Sequence, residues 1–463
     1  MKYIASTSAA LLLSTSLASA AGLDRSGQSV AAIFADDSTV SLSFGVVEPN
    51  VVGKDDAGNS YNVGESYTQL GFSYTQVLSE QASVSLIFDQ PYGANVNYEV
   101  DPSTSALGGT RADLSSESLG IVGKFQFNER FSVFGGVKAE RVRAEVDLNG
   151  TAYADSFITA NRVAPTAASN FNGRLGGTGL PNLSTADAEA IIEGDDDAIS
   201  NFISTYGAAL GIQGAGITPA TFAALPAAQQ QAIIQQGGQG GVDALQGAIG
   251  TGKNNFFNAS GYQFEMEDST KPVFLIGAAY EIPDIALRVA LTYHFETEHT
   301  ADTKEQVLGQ TIKGEVDYVT PQSVNLDFQT GIAEDTLLTA SYRWTEFSAV
   351  DVVPDFLQAD LVNLEDGERY TIGIARRFSD SFAGSATFLY EPEGDDLVSP
   401  LGPTNGLMGL TLGGRYTKDN VTLSGGINYS VLGDASANVG GDGVADFEGS
   451  TSYGFGFNAA FTF

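Results

Sequence analysis

The chain ends in a stretch that alternates large apolar side chains with small or polar ones: Tyr453-Gly454-Phe455-Gly456-Phe457-Asn458-Ala459-Ala460-Phe461-Thr462-Phe463. Because successive side chains of a strand point to opposite faces, a period of two predicts a β-strand with one apolar face. A half-buried strand of a soluble sandwich alternates similarly, but it seldom carries an aromatic residue at nearly every outward position. Aromatic residues facing outward are typical of outer-membrane barrels, whose strands meet lipid there.

Thirteen earlier segments repeat this alternation. They span residues 39–47, 67–78, 81–92, 114–127, 131–148, 263–280, 286–297, 316–332, 336–350, 369–378, 382–391, 407–416 and 421–432, and the last strand spans 450–463. A tight turn follows segments two, four, six, eight, ten and twelve, and a long segment rich in Gly and Asp follows the odd-numbered ones. Short periplasmic turns, long outer loops and an even strand number are what an outer-membrane barrel requires. The pattern predicts an all-β fold, a 14-stranded antiparallel transmembrane β-barrel with both termini periplasmic.

The phase of the alternation predicts which side chains face lipid. Leu287, Val289 and Leu291 share one face of their segment, whereas Arg288 and Thr292 share the other. Because a charge in hydrocarbon is costly, the charged face is expected to line the lumen.

The segment 131–148 changes phase along its length. Its odd positions look lipid-facing up to Ala139, but Val142 and Ala144 place apolar residues on the opposite parity and leave Arg143 inward. A β-bulge adds one residue to one strand, so a bulge near Glu140 would reconcile the two halves.

The composition excludes several classes of protein. No apolar run approaches the roughly 18 residues that a membrane helix needs. The 22 basic and 56 acidic residues give a net charge of −34, which would repel nucleic acid. The chain has no cysteine, so disulfides, thiolate metal sites and cysteine nucleophiles are excluded.

The sequence predicts no catalytic residue, no cofactor and no metal site. Its two histidines, His294 and His299, are interpreted as one lumen-lining residue and one loop residue. No Ser–His arrangement of the kind that a barrel lipase needs is recognisable. The acidic runs 195–197 and 395–396 are interpreted as solvated loops, and the alternative is that they hold a divalent cation at the surface.

Two segments outside the strand pattern have their own signals. Residues 1–20 combine Lys2, an apolar core and Ala18-Ser19-Ala20, which together predict a signal peptide. Residues 149–260 form a long outer loop that carries helix signals instead of alternation.

In the long loop, Ser184 followed by Asp187 predicts a capped helix start, Thr218-Pro219 and Pro226 predict further starts, and Gly237-Gly238 predicts a stop. Two interpretations of the loop stay open. It is a helical cap that packs against itself, or it presents an exposed apolar groove that captures a hydrophobic ligand.

Four stretches resemble the FadL-type long-chain fatty acid transporters of Gram-negative outer membranes. They are 21–29 (AGLDRSGQS), 320–331 (TPQSVNLDFQTG), 342–348 (YRWTEFS) and 396–406 (DLVSPLGPTNG). The resemblance implies a fourteen-stranded barrel with an N-terminal plug, here residues 21–38, inside the barrel of residues 39–463. This plug is shorter than the plug of the family and lacks its Asn-Pro-Ala segment.

The resemblance also implies passive transport in the outer membrane. A hydrophobic ligand is captured by the outer loops, bound in the lumen and released sideways through an opening at a kink in the third strand. Here that strand contains Pro91, Tyr92 and Gly93, and Pro and Gly both weaken a ladder. The same residues would also suit the outer end of the strand.

A ligand carboxylate would need a cationic partner in the lumen. Arg143 falls where the family places a lumen-facing arginine, and Arg343 and Arg288 are inward by parity. Alternatively these arginines pair with lumen acids, such as Glu145 and Asp147 beside Arg143.

The expected partners are a long-chain fatty acid or a similar hydrophobic molecule, the membrane lipid, and the outer-membrane assembly machinery, which would recognise the strand that ends at Phe463. A monomer is expected, and nucleic acid is not a partner. Fatty acids, aromatic hydrocarbons and lipophilic signals all remain open as substrates. The alternative function is a general hydrophilic diffusion porin, and a structural or enzymatic barrel is a more distant one.

Overall fold

A computed structural model describes residues 23–174, 179–193, 195–206 and 239–463. The predicted signal peptide of residues 1–20 and the loop signals at Thr218-Pro219, Pro226 and Gly237-Gly238 lie outside these residues. Within the described ranges, no helix combines the length and the apolar character needed to span a bilayer.

Seventeen strand segments form one closed antiparallel sheet of fourteen barrel strands, because three of the strands are each interrupted once. The strands are β1 (Thr39–Asn50), β2 (Tyr67–Val77), β3 (Ala82–Asp89 and Gly93–Asn97), β4 (Arg111–Gln126), β5 (Phe131–Leu148), β6 (Tyr262–Ile282), β7 (Leu287–His294 and Thr297–Val307), β8 (Gln310–Thr320 and Ser323–Ala333), β9 (Thr336–Thr345), β10 (Gly367–Arg377), β11 (Phe382–Glu391), β12 (Leu407–Lys418), β13 (Val421–Leu432) and β14 (Thr451–Thr462). The first and last strands pair from Thr39 opposite Thr462 to Asn50 opposite Thr451. The predicted fourteen-stranded barrel is confirmed.

The outside of the barrel carries an apolar belt between two rows of aromatic residues. The row on the loop side is made of tyrosines on β9, β10, β11, β13 and β14: Tyr342, Tyr370, Tyr390, Tyr429 and Tyr453. The row near the tight turns is mostly phenylalanine: Phe127, Phe131, Phe378, Phe382, Phe461 and Phe463. Eight residues of a tilted strand separate the rows, a height of about 20 Å at 3.3 Å per residue and 40° tilt. This belt matches the hydrocarbon layer of an outer membrane.

Above the belt, the barrel wall continues, but its apolar side chains now face inward and its polar side chains face outward. On β6, Tyr262, Phe264 and Met266 face inward and are buried, whereas Gln263 and Glu265 face outward. The strand still alternates, but its outer side now meets water and its inner side meets an apolar interior. The reversal also explains the outer hairpin of β7 and β8, which the sequence pattern placed in a loop. Its charged residues are on the water side of an extended wall.

The predicted bulge near Glu140 is wrong. The register of β5 against β4 is continuous from Ser132 to Asp147, so even positions face inward along the whole strand. Val142 and Ala144 are therefore apolar residues of the interior, not of a lipid-facing side. The irregularity lies on the facing strand, where Val142 pairs with Ser269 but Ala144 pairs with Met266.

The outer loops fold into a layer of their own. Its five-stranded sheet contains Val52–Asp55, Ser60–Asn62, Leu397–Val398, Ala435–Val439 and Asp442–Phe447. In the core of this layer, the ring of Tyr61 lies 5.3 Å from that of Tyr98 and 6.1 Å from that of Phe447, measured between centroids.

Asp55 ties this layer together. Its carboxylate accepts hydrogen bonds from the Tyr61 hydroxyl at 2.7 Å and from the Ala106 amide at 3.0 Å. Burial raises the pKa of Asp55, but these bonds and those from Asn59 outweigh it and hold the pKa below its usual value. The carboxylate therefore stays ionised at neutral pH.

The described part of the long loop is helical. The helices are Thr151–Ala154, the π-helical Asp155–Val163, Ala164–Arg174, Thr185–Glu193, Asp196–Tyr206 and Gln239–Asn258. The predicted cap is confirmed, because the Ser184 hydroxyl accepts the Asp187 amide at 3.0 Å. Phe171, Phe202 and Tyr206 pack into a small core of these helices. This packing agrees with a self-contained cap, and the capture groove stays a prediction.

The N-terminal segment, residues 23–38, runs inside the barrel. Its 3₁₀ helix Ala31–Phe34 lies towards the tight turns, where Ile33 is fully buried and the ring of Phe34 meets that of Phe134 edge-on at 5.8 Å. The segment therefore fills the lumen with protein on the side of the tight turns.

Buried charges hold the start of this segment. The Asp24 carboxylate accepts a hydrogen bond from Arg343 Nε at 2.7 Å and lies 3.9 Å from Arg369, which in turn pairs with Glu391 at 2.6 Å. All four side chains are buried. Breaking such a buried pair costs about 3–5 kcal/mol, because one charge is left uncompensated.

We expect Asp24→Asn to release the N-terminal segment, since it removes the counter-charge of Arg343. At about 3–5 kcal/mol, the released population should rise by about a hundredfold or more. The readout is the rate of maleimide labelling at Val30→Cys, a buried position in a chain without other cysteines.

The matched control is Arg141→Ala, which breaks the exposed Arg141–Asp268 pair. Exposed pairs contribute about 0–1 kcal/mol, so labelling should stay nearly unchanged. Equal labelling rates in the Asp24→Asn and Arg141→Ala proteins would contradict an anchoring role for Asp24.

Candidate functional site

A chamber of about 520 Å³ lies inside the outer half of the barrel. One wall is formed by inward residues of β4, β5 and β6: Ala112, Leu114, Val142, Ala144, Val146, Phe264 and Met266. Leu23 and Tyr92 also line the chamber, and Phe347, Val350 and Leu361 of the segment after β9 line another part of it. This lining results from the reversed alternation above the belt, since the even residues of β5 form an unbroken apolar row there, from Val142 to Leu148.

The polar part of the chamber lining is acidic. Glu365, Asp366, Glu368, Glu391, Glu393 and Asp395 line it, and the lining residues that the structure describes include no lysine or arginine. Glu391 is neutralised by Arg369, and Asp366 accepts hydrogen bonds from Trp344 Nε1 and from Ser348. The chamber is thus suited to the apolar body of a ligand and offers no cation from its described lining.

The prediction that Arg143 faces the lumen is wrong. Its side chain is exposed on the outer surface above the belt, and its Nε donates to Ser115 Oγ at 2.9 Å. The parity argument failed because Val142 and Ala144 point into the apolar interior, which leaves Arg143 on the water side. The expected pairing with Glu145 or Asp147 is not formed, and Asp147 instead accepts a hydrogen bond from Gln263.

Arg343 and Arg288 are inward and buried, as the parity predicted, but neither lines the chamber. Arg343 is engaged by Asp24 of the N-terminal segment. Arg288 lies near the tight turns, with its guanidinium 4.3 Å from the ring centre of Phe34. Their role as ligand partners stays a prediction.

Both histidines are buried. His294 lies inside, as interpreted from the sequence, with Nδ1 3.4 Å from Ser323 Oγ. The placement of His299 in a loop is wrong: it belongs to β7, stacks on the ring of Tyr318 at 4.9 Å and lies 3.2 Å from Ser269 Oγ. Across the described ranges, no group of three or more potential metal ligands comes together.

The barrel wall has a break between β2 and β3. Their ladder runs from Val77 opposite Ser83 only as far as Phe72 opposite Phe88. Contact resumes farther out, where the Glu65 amide donates to the Asn95 carbonyl at 3.2 Å. In register, Leu70 lies beside Phe44 of β1, so the break opens at the depth of the apolar belt.

Pro91, Tyr92 and Gly93 lie at this break. Strand β3 stops at Asp89 and resumes at Gly93–Asn97, so these residues form an interruption and not the outer end of the strand. Because proline has no N–H to give to a ladder, Pro91 cannot continue the pairing with β2. The assignment of a lateral opening to these residues stays a proposal.

Other groups satisfy the backbone at the interruption. The Pro91 carbonyl accepts the Arg25 amide at 2.8 Å, and the Gly93 amide donates to the Leu23 carbonyl at 2.9 Å. The Leu70 amide donates to the side-chain Oε1 of Gln90 at 2.8 Å. The N-terminal segment thus pairs with β3 from inside, and Gln90 spans the break.

Sequence reasoning did not single out Gln90 or Arg25. The only available signal was that Gln90 precedes Pro91 and that Arg25 stands in the plug segment. Arg25 lies in a second cavity of about 90 Å³, which shares Ala94 and Leu401 with the chamber lining. A third cavity, also about 90 Å³, extends between Ser26 inside and Leu70 at the break.

Comparison with known proteins identifies the fold. No protein-family profile matches the chain, and no curated protein matches it in sequence. A Pseudomonas aeruginosa FadL homologue is similar in structure with a TM-score of 0.59 and 13% identity, over 98% of this chain and 96% of that one.

Two toluene transporters are similar as well. TodX of P. putida has a TM-score of 0.54 at 13% identity, over 92% of this chain and 90% of that one. TbuX of Ralstonia pickettii has a TM-score of 0.52 at 13% identity with the same coverage. The fourteen-stranded barrel, its apolar belt and these similarities together show that this chain has the outer-membrane β-barrel fold of the FadL-type transporters.

Proposed function

We propose that the protein is a passive outer-membrane transporter of small hydrophobic molecules. The observation that carries the proposal is the apolar chamber inside the outer half of the barrel, beside a break in the wall at the depth of the lipid. A ligand that leaves water for this chamber gains the free energy of burying apolar surface, about 25 cal/mol per Å². No energy source is needed, because the ligand moves down its gradient.

Lateral release through the β2–β3 break is the second part of the proposal. The straight route through the lumen is filled by the N-terminal segment, whose Ile33 is fully buried. At the break, by contrast, the wall is spanned by side-chain hydrogen bonds, from the Leu70 amide to Gln90 Oε1 and from Gln69 Nε2 to the Gln90 carbonyl. The side chains of Leu70 and Phe72 lie beside Phe44 and Leu42 on the lipid side of the wall. A hydrophobic molecule that leaves there enters hydrocarbon without crossing water.

The substrate class includes long-chain fatty acids and aromatic hydrocarbons. A cavity of 520 Å³ is within the usual range for a ligand-binding pocket and suits a molecule with one chain or one ring system. The names of TodX and TbuX, toluene transporters, support the hydrocarbon end of this class. A hydrophilic diffusion porin is disfavoured, because protein fills the lumen of this barrel, whereas water fills the lumen of a porin.

The chamber is tested by filling it. Ala144→Trp places an indole in the chamber, so binding of a fluorescent hydrophobic probe to the purified protein should weaken by about tenfold or more, and uptake by cells should slow. The matched control is Arg143→Trp, which adds a similar ring on the outer face of the same strand. Equal binding by the two variants would contradict a ligand site in the chamber.

The lateral route is tested by closing the break. The chain has no cysteine, so a Leu70→Cys/Gln90→Cys disulfide would join β2 to β3 specifically. We expect oxidation to reduce uptake strongly and reductant to restore it, while probe binding in detergent stays within about twofold. The disulfide leaves the chamber untouched.

The matched control for the disulfide is Leu412→Cys/Ile427→Cys, a pair directly opposite in the intact ladder of β12 and β13. Oxidation of this pair should leave uptake unchanged. Full uptake with the β2–β3 disulfide closed would overturn lateral release at this break, although the chamber could still hold the ligand.

A further inference from the structure

Arg25 is a half-buried cation at the break in the wall, without a carboxylate partner. Its guanidinium donates one hydrogen bond, from Nη2 to Asn95 Oδ1 at 2.7 Å, and lies 3.7 Å from the ring centre of Tyr67. Within the described part of the chain, Arg25 forms no ion pair, unlike Arg343, Arg369 and Lys138. A guanidinium has five donors, so most of the donors of Arg25 are not engaged by any protein group that the structure describes.

The acids around Arg25 are engaged elsewhere. Glu65, which lines the same cavity, accepts a hydrogen bond from Asn97 Nδ2 at 3.1 Å. Asp113, opposite Asn95 on β4, lies 3.9 Å from Arg111. Both carboxylates therefore lower the positive electrostatic potential at Arg25 from a distance. Neither of them accepts a hydrogen bond from its guanidinium.

The backbone is shaped to accommodate this side chain. A Cβ on Gly93 would lie 2.6 Å from the guanidinium carbon of Arg25, which is closer than any real contact. Gly93 and the Tyr67 ring thus leave a space for the flat guanidinium between β2 and β3. A glycine at position 93 therefore makes room for Arg25, in addition to weakening the ladder at the interruption of β3.

The cavity at Arg25 connects the two features of the proposed route. It shares Ala94, Leu401 and Gly402 with the chamber lining, and it reaches Glu65 and Tyr67 at the outer end of the break. Apart from Arg25, its walls are mostly apolar, with Val47, Val51, Val63 and Leu432. The head of an anionic amphipath suits such a cavity, because a cation with available hydrogen-bond donors lies among apolar walls.

We infer that Arg25 binds the carboxylate of an anionic amphipathic ligand at the passage from the chamber to the break in the wall. The apolar tail of the ligand lies in the chamber, whose described lining offers no cation of its own, and the head is held by the N-terminal segment. This inference rests on the proposed function, and it makes Arg25 the residue that distinguishes acids from uncharged hydrophobes.

The test compares dodecanoate with dodecanol, which share a twelve-carbon chain, on the purified full-length protein at pH 8 by calorimetry. Arg25→Gln should weaken dodecanoate binding by about ten- to a hundredfold, as expected for the loss of a charge-assisted hydrogen bond, and leave dodecanol within about twofold. Arg25→Lys should retain part of the preference for the acid. Each variant is first checked for a folded, heat-modifiable barrel.

The matched control is Arg143→Gln, which removes a cation from the outer face and should change neither affinity. Equal losses of dodecanoate and dodecanol in Arg25→Gln, or no loss of either, would overturn the assignment. If the unmodified protein binds neither ligand, the proposed function fails, and the assignment of Arg25 fails with it. Binding of dodecanol alone by the unmodified protein would overturn the assignment but not the function.

Discussion

Every backbone N–H and C=O group at membrane depth must find a partner inside the protein, because lipid offers none. A closed ladder meets this requirement along most of the wall, and β1 pairs with β14 over its whole length. The exception is the interruption of β3, where the ladder to β2 is missing. The arrangement of the rest of the interior depends on which groups form hydrogen bonds with the backbone N–H and C=O groups at that interruption.

The N-terminal segment supplies most of the missing partners. Its backbone pairs with Pro91 and Gly93, while Ser116 of β4 binds the backbone of Tyr92 through its hydroxyl and its amide. These contacts only hold if the segment is fixed, and the buried Asp24 carboxylate between Arg343 and Arg369 fixes it. A buried charge cluster thus stabilises a weak point of the wall from inside and closes the floor of the chamber.

The same arrangement explains why most interior cations are paired with an acid. Arg343, Arg369 and Lys138 are each matched by an acid, Asp24, Glu391 and Asp89. They serve the architecture, because a buried charge without a partner would be costly. Arg25 differs, since its position against Tyr67 and Gly93 is held by shape and by one amide hydrogen bond. It combines a structural role in the segment with donors that no described protein group accepts, in a cavity that adjoins the chamber.

Much of the fold followed from the sequence. The strand number, the tight turns, the lipid-facing belt and the inward direction of Arg343 and Arg288 were predictable, because side-chain period and loop length are local properties of a chain. The capped helix start at Ser184 and Asp187 belongs to the same group, since a cap involves residues three apart. The uninterrupted β5 and the location of Arg143 were not predictable in the same way. Alternation fixes which residues share a face, but it does not say what lies on either side of that face.

Only the tertiary structure decided where lipid ends along the wall. Once β5 and β6 rise above the belt, apolar side chains such as Val142 and Phe264 belong inside, and the exposed face carries Arg143 and Glu265. The break beside Pro91 and the position of the Arg25 guanidinium depend on contacts of Arg25 with Pro91 and Asn95, which lie 66 and 70 positions away in the sequence. The sequence by itself determined the barrel and the alternating faces of its strands, because those depend on period and loop length. The chamber, the break and the cation beside them depend on contacts between segments that are distant in the sequence. A local sequence pattern does not predict such contacts.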